Sequence, residues 1–127
     1  MFVNEIKKLM INIEKPNKPM VLDVILEGGA FNGSYELGVC FFLKELEKQG
    51  YITVNRISGA SVGSIIGTCY LLDKLDVVYN SYNKVREEWI NTLKIHVYKD
   101  ILEDTFSDIS YNYTHLNDRL FITYNDI

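Results

Sequence analysis

Short apolar runs alternate with glycine-rich turns in the first half of the chain. Residues 20–26, MVLDVIL, are apolar and rich in β-branched side chains, which predicts a buried strand. The segment EGGAFNG follows with three glycines in seven residues, and such a loop requires unusual backbone geometry or close approach of another chain segment. Helical spacing of apolar residues over residues 34–49 then predicts a helix that ends at Gly50.

The same order occurs a second time. Residues 51–58, YITVNRIS, predict a second strand, GASVG predicts a second glycine turn, and SIIGTCYLLDK predicts a second helix. Two successive strand–turn–helix units favour an α/β fold with a mainly parallel sheet and helices on its faces, a three-layer α/β/α arrangement. Both glycine turns fall at the carboxyl ends of strands, where such sheets place their functional sites.

The segments before and after these two units show a weaker pattern of apolar and polar residues. Residues 1–19 predict an amphipathic N-terminal arm outside a domain that covers residues 20–127. The apolar positions of the arm and the two prolines that end its helix are Ile6, Leu9, Met10, Ile13, Pro16 and Pro19.

A long amphipathic helix is predicted from Asp76, which is expected to cap its start. The apolar face of this helix is Val78, Tyr82, Val85, Trp89 and Leu93, and Trp89 and the tyrosines are interpreted as packing residues. Residues 94–118 predict a loop with a short helical turn near Ile101–Phe106, and RLFITYNDI predicts the start of a third strand.

Composition and charge narrow the class of protein. A chain of 127 residues is one small domain or a piece of a larger one, and its net charge of −4 does not favour binding to nucleic acid. No apolar run predicts a transmembrane helix, and the charged N-terminus does not resemble a signal peptide, so we expect an intracellular protein, cytoplasmic or peripherally membrane-associated. Cys40 and Cys69 lie in apolar helical segments and are interpreted as buried free thiols, with a disulfide or a catalytic cysteine as alternatives.

A serine between two glycines follows the second predicted strand. Gly59, Ala60, Ser61, Val62 and Gly63 form a G-x-S-x-G turn that leads into a helix, which is the sequence context of a nucleophile elbow. The turn presents the serine hydroxyl at the first turn of the helix, where unpaired N–H groups favour negative charge. The alternative is a strand–helix crossing that merely requires small residues.

The upstream glycine turn also connects a strand to a helix, so its backbone N–H groups can face an anion. If the two strands are neighbours, these amides lie opposite Ser61 and form an oxyanion hole.

Together, LEGGAFNGSYELGV and RISGASVGSIIG resemble the patatin-like phospholipase family, whose members combine a G-x-G-x-x-G loop with a G-x-S-x-G elbow. The resemblance covers residues 21–72 strongly. It implies a lipid acyl hydrolase with Ser61 as nucleophile, amides around Gly28–Ala30 as oxyanion donors, and a lipid or phospholipid ester as substrate, with no cofactor or metal. The residues that match the glycine-rich motif are Gly28, Gly29, Ala30, Phe31, Asn32 and Gly33.

Three departures from the family pattern stand out. Ala30 replaces the middle glycine of the loop, which costs about 1 kcal/mol if that position has a positive φ. Asn32 replaces a basic residue, although asparagine tolerates left-handed geometry and can still donate hydrogen bonds.

The third departure is the absence of the family's D-G-G or D-G-A motif, since the sequence has no Asp-Gly dipeptide. Asp126 lacks the following glycine and does not match the aspartate of the Ser–Asp dyad. The chain therefore resembles the N-terminal part of such a domain. Its base would come from a complementing C-terminal fragment. If instead the chain is complete at 127 residues, self-association through uncovered sheet surfaces is expected. The alternative is a catalytically inactive remnant that at most binds lipid or a partner chain.

Other candidate sites are weaker. His96 and His115 are interpreted as non-catalytic, and Asp104 and Asp108 as a solvated acidic turn, since calcium loops need more oxygen ligands. EGGAFNG could also be interpreted as a loop that binds the phosphates of a nucleotide. It lacks the lysine of a Walker motif, and the chain lacks the acidic residue expected after the second strand of a dinucleotide-binding site.

Overall fold

A three-stranded parallel sheet in the order β1-β2-β3 organises the protein, as seen in a computed structural model that describes residues 2–108 and 112–124. The strands are β1, Met20–Leu26, β2, Ile52–Ala60, and β3, Leu120–Thr123. The predicted α/β class, the parallel sheet and all three strands are therefore confirmed.

Five α-helices accompany the sheet in the described residues. They are α1, Val3–Met10, α2, Gly33–Lys48, α3, Val62–Leu71, α4, Leu75–Thr92, and α5, His96–Phe106. Short 3₁₀ turns occur at Ala30–Asn32 and Thr114–Leu116. No described helix has both the length and the apolar character needed to cross a membrane.

Helices α2 and α3 pack on one face of the sheet and enclose the core. Leu26, Val54 and Ile57 point from the strands into this core and meet Ile66 and Cys69 of α3. Burial of these side chains is the main favourable contribution to folding. The core thus fixes the carboxyl ends of β1 and β2 beneath the two glycine turns.

The opposite face of the sheet is open in the described part of the chain. Val21 and Ile25 of β1 and Phe121 of β3 are exposed, although MVLDVIL predicts a buried strand. The predicted burial is wrong for one face of β1, because only Leu22, Val24 and Leu26 alternate toward the helices.

The N-terminal helix contributes to the core although the sequence places it in a separate arm. Ile6 and Met10 are buried and join the hydrophobic cluster, whereas Leu9 is exposed. Phe2 also packs edge-to-face against Phe41 of α2, at a ring-centroid distance of 5.8 Å.

Two predictions for the second half of the chain are wrong. Helix α4 begins at Leu75 after Lys74, so Asp76 lies within the first turn and does not cap it. A full helix, α5, replaces the predicted loop with a short turn. Tertiary contacts hold both of its ends: Glu88 accepts a hydrogen bond from the Val97 N–H at 2.9 Å, and the Lys74 ammonium donates to the Thr105 carbonyl at 2.9 Å.

Candidate active site

Ser61 occupies a strained turn between β2 and α3. Its φ of 51° and ψ of −126° lie outside the regions that non-glycine residues normally adopt, and its carbonyl accepts a hydrogen bond from the Ser64 N–H at 3.0 Å. The side chain is exposed at the N-terminus of α3, where the helix dipole favours negative charge. This is the backbone geometry that the sequence predicts for a nucleophile elbow.

Backbone contacts explain the two glycines that flank Ser61. A Cβ atom added at Gly59 would lie 2.6 Å from the carbonyl carbon and oxygen of Gly63. A Cβ atom added at Gly63 would lie 2.5 Å from the carbonyl oxygen of Leu26. Since neither contact involves a flexible side chain, a larger residue at either position would displace a strand or the helix.

The glycine loop, residues 28–33, lies directly beside the elbow. A Cβ atom added at Gly28 would lie 3.1 Å from the Cβ atom of Ser61. At the other end of the loop, a Cβ atom added at Gly33 would lie 2.8 Å from a methyl group of Val62. The pairing of β1 with β2 brings the two turns together, because Leu26 is in register with Gly59.

Backbone donors surround Ser61 on both sides. Val62 and Gly63 are in the first turn of α3, where N–H groups have no intrahelical acceptor. Among the described residues, the amides of Gly28, Gly29 and Ala30 donate to no other backbone carbonyl. These groups are therefore available to an anion.

The two departures inside the loop differ in backbone geometry. Ala30 has a φ of 48°, so it does occupy the left-handed region in which glycine is favoured. Asn32 has a φ of −66° and donates its N–H to the Gly29 carbonyl at 3.0 Å. The tolerance of asparagine for left-handed geometry is therefore not used here.

An apolar cavity of about 570 Å³ opens beside Ser61. Four side chains of the apolar face of α4 form one wall, and Ile95 and Tyr98 close the side next to α5. The α4 residues are Val78, Tyr82, Val85 and Trp89. The predicted apolar face is therefore correct for four of its five residues, since Leu93 lies beyond the end of α4 and is exposed. Trp89 is partly exposed at the cavity and is not a core residue.

Phe31 links the glycine loop to the cavity wall. Its ring packs edge-to-face against Tyr82 and in a tilted arrangement against Trp89, each at a centroid distance of 6.1 Å. This motif residue therefore holds α4 against the loop. Burial raises the pKa of Tyr98 to about 12, so this phenol is neutral and does not act as a base at physiological pH.

No described carboxylate or imidazole lines the cavity, and no described group is hydrogen-bonded to the Ser61 hydroxyl. His96 lies at the start of α5 outside the cavity, and Nδ1 of His115 lies 3.1 Å from the Asn112 carbonyl oxygen. Asp104 is within α5 and exposed, and Asp126 lies outside the described residues.

Sequence reasoning missed Glu36 in the first turn of α2. One of its carboxylate oxygens is buried without a hydrogen-bond partner. The pKa of this carboxyl is raised above its usual value, mainly because the group is buried. The negative charge of Glu27 adds to the increase, and a hydrogen bond from the Glu27 backbone N–H partly offsets it. Glu36 therefore lies next to Glu27, at the start of the glycine loop. The only sequence signal for this contact is the presence of a second glutamate nine residues after Glu27.

Comparison with known proteins identifies the family of the chain. The sequence model of the patatin-like phospholipase family matches residues 24–124, from β1 to just past β3. The chain belongs to the patatin-like phospholipase family. No curated protein and no solved structure shows significant similarity to it. In this member of a lipid-hydrolase family, Ser61, the glycine loop and an apolar cavity lie next to one another.

Proposed function

We propose that this patatin-like chain carries the nucleophile and the oxyanion loop of a lipid acyl hydrolase. The observation that carries the proposal is the position of Ser61, in a strained turn beside Gly28 and at the opening of an apolar cavity. A lipid ester has the matching chemistry, because an apolar acyl chain and a polar carbonyl must be bound at adjacent places.

In the proposed reaction, the Ser61 hydroxyl oxygen attacks the ester carbonyl carbon while a base accepts the hydroxyl proton. Amides of Gly28, Gly29, Ala30 and Val62 stabilise the negative charge that develops on the carbonyl oxygen. The ester C–O bond then breaks, the alcohol leaves with a proton, and an acyl-Ser61 ester remains. Water hydrolyses this ester to release a fatty acid.

The base is proposed to come from a complementing fragment. The sequence contains no Asp-Gly dipeptide, and the cavity has no described acid or histidine to accept the proton. A serine without a base is a poor nucleophile near neutral pH. The same observation favours a second candidate function, a catalytically inactive domain that binds lipid or a partner chain through the cavity.

A fluorophosphonate probe distinguishes the two functions. The probe forms a covalent bond with an activated serine, so the expected result is labelling that Ser61→Ala abolishes. Ser34→Ala is the matched control, because Ser34 lines the same cavity and labelling should persist in that variant. The assay is run on the chain alone and after addition of any D-G-G or D-G-A segment encoded downstream.

Each result has a distinct meaning. Labelling of the chain alone would reveal a base outside the groups described above. Labelling only after addition of the fragment would identify a split enzyme whose aspartate acts in trans. Absence of labelling in both cases would reject catalysis and leave the binding function.

A further inference from the structure

We propose that the α4–α5 corner, residues 89–96, docks on the surface of a phospholipid bilayer, with Ile90 and Leu93 inserted among the lipids. The proposal rests on the proposed lipid function and adds a surface to it. Lipid would then reach the cavity from the bilayer along Trp89 and Ile95.

The corner is an exposed apolar patch. Every residue from 89 to 96 is exposed, and the four large apolar side chains are exposed by 41–73% of their surface. These side chains are Trp89, Ile90, Leu93 and Ile95. Contiguous apolar patches of this kind usually mark a binding surface in a protein that folds in water.

Hydrogen bonds fix the backbone of the corner, so its exposure does not result from a frayed helix end. The Leu93 N–H donates to the Trp89 carbonyl at 2.9 Å, and the Lys94 N–H donates to the Thr92 hydroxyl at 3.2 Å. Glu88 accepts the Val97 N–H and thereby closes the turn into α5.

Leu93 has a left-handed backbone at this turn, with φ 56° and ψ 26°. A leucine in this conformation costs about 1 kcal/mol relative to the right-handed region. Asparagine or glycine would be the usual residue at such a helix end. The fold thus holds an apolar side chain outward at a position where local geometry favours a small or polar one.

Charge distinguishes a bilayer surface from other partners. The chain has 17 acidic and 13 basic residues, yet residues 89–96 include no acid and do include Lys94 and His96. Lysine can extend its ammonium to the lipid phosphates while its stem stays apolar, and tryptophan favours the interface between headgroups and acyl chains. An apolar corner that has a cation and no acid within residues 89–96 fits a phospholipid surface.

The corner is continuous with the cavity. Trp89 and Ile95 belong to both, since each is exposed at the corner and also lines the cavity that opens beside Ser61. With the corner in contact with a bilayer, an acyl chain can pass along these two side chains toward Ser61 without crossing water. This continuity favours the bilayer over a second protein chain as the occupant.

Trp89 is the sole tryptophan of the chain, so its fluorescence reports directly on the corner. We expect phosphatidylcholine vesicles to shift its emission to shorter wavelength and brominated phosphatidylcholine to quench it. The double variant Ile90→Gln with Leu93→Asn should weaken vesicle binding by about tenfold or more, because two apolar side chains no longer enter the bilayer. Asparagine tolerates the left-handed backbone at position 93, so the variant should fold.

The matched control is Leu9→Gln with Ile11→Gln, which removes two apolar side chains of similar exposure from the end of α1. This control should bind vesicles as the unmodified chain does. An absent emission shift, or an equal loss of binding in the control, would overturn the proposal. A shift that depends on protein concentration without vesicles would also overturn it, because a second copy would then cover the corner.

Binding is measured without turnover, so the result does not depend on catalysis. Ser61→Ala should bind vesicles as tightly as the unmodified chain. Vesicle binding without fluorophosphonate labelling, both of the chain alone and after addition of the downstream segment, would reject the hydrolase and keep the docking surface. Labelling without vesicle binding would support the hydrolase and reject the docking surface.

Discussion

Gly63 and Leu26 are in backbone contact where α3 crosses the end of β1: a Cβ atom at Gly63 would lie 2.5 Å from the Leu26 carbonyl oxygen. Gly63 is therefore required by backbone packing. It allows the helix that begins after Ser61 to sit directly on the strand that leads into the glycine loop.

Gly63→Ala should consequently destabilise the fold by about 3 kcal/mol, because the added methyl group meets two backbone carbonyl oxygens that cannot move independently. Urea unfolding followed by circular dichroism measures the change. Gly38→Ala on α2 is the control, since nothing lies within 4 Å of a Cβ atom there, and it should stabilise the chain by about 0.5–1 kcal/mol. Equal effects at the two positions would contradict the packing argument.

Ala30→Gly should stabilise the chain by about 0.5–1 kcal/mol. The φ of 48° at Ala30 is unfavourable for alanine, so glycine removes this backbone strain. The free energy gained in this way exceeds the entropic cost of ordering the more flexible glycine on folding. Ala60→Gly, at the other alanine of the chain, lies in β2 and should instead destabilise by about 0.5–1 kcal/mol. Thermal unfolding of both variants tests the difference, and two changes of the same sign would count against it.

Glu36→Gln should make the stability of the chain less dependent on pH. Because the folded carboxyl has a raised pKa, it keeps its proton to a higher pH than the unfolded one, whose ordinary value is near 4.5. Its contribution is therefore largest below that value and is lost as the pH rises through the folded pKa. The glutamine variant, which stays neutral, should gain stability relative to the unmodified chain between acid and neutral pH.

Urea unfolding at several pH values measures this gain. Glu14→Gln, at an exposed position in the segment between α1 and β1, serves as the control for the removal of one surface carboxylate. A gain that does not change with pH would indicate that packing of the glutamine, rather than loss of the charge, is responsible.

Both thiols should be unreactive in the native chain. Burial raises the pKa of Cys40 to about 12 and that of Cys69 to about 11, and the reactive species is the thiolate. Iodoacetamide should therefore modify neither residue at mildly alkaline pH, but both after unfolding in guanidinium chloride. The stability of the chain should also fall as the pH rises above about 9, because unfolded thiols ionise there while folded ones do not. Rapid native alkylation would show that the core opens readily.

Much of the candidate site was predictable because its signals are local. Gly59, Ser61 and Gly63 carry the steric requirements of a tight turn in five consecutive residues, and Gly28 marks the neighbouring loop. Helix α5 was not predictable in the same way. Its residues include many weak helix formers, and its ends are held by Glu88 and Lys74 from elsewhere in the chain.

The sequence by itself determined the three strands, the two strand–turn–helix units and the position of the serine, because the period of apolar residues and the glycine turns are short-range properties. Only the tertiary structure decided that the α4 face of Val78, Tyr82, Val85 and Trp89 lines a cavity instead of a solid core. The same spacing serves both purposes, and the distinction depends on how closely α5 and the glycine loop approach that face. The exposure of Leu93 likewise depends on where α4 ends and how the chain turns, which one helical pattern does not specify.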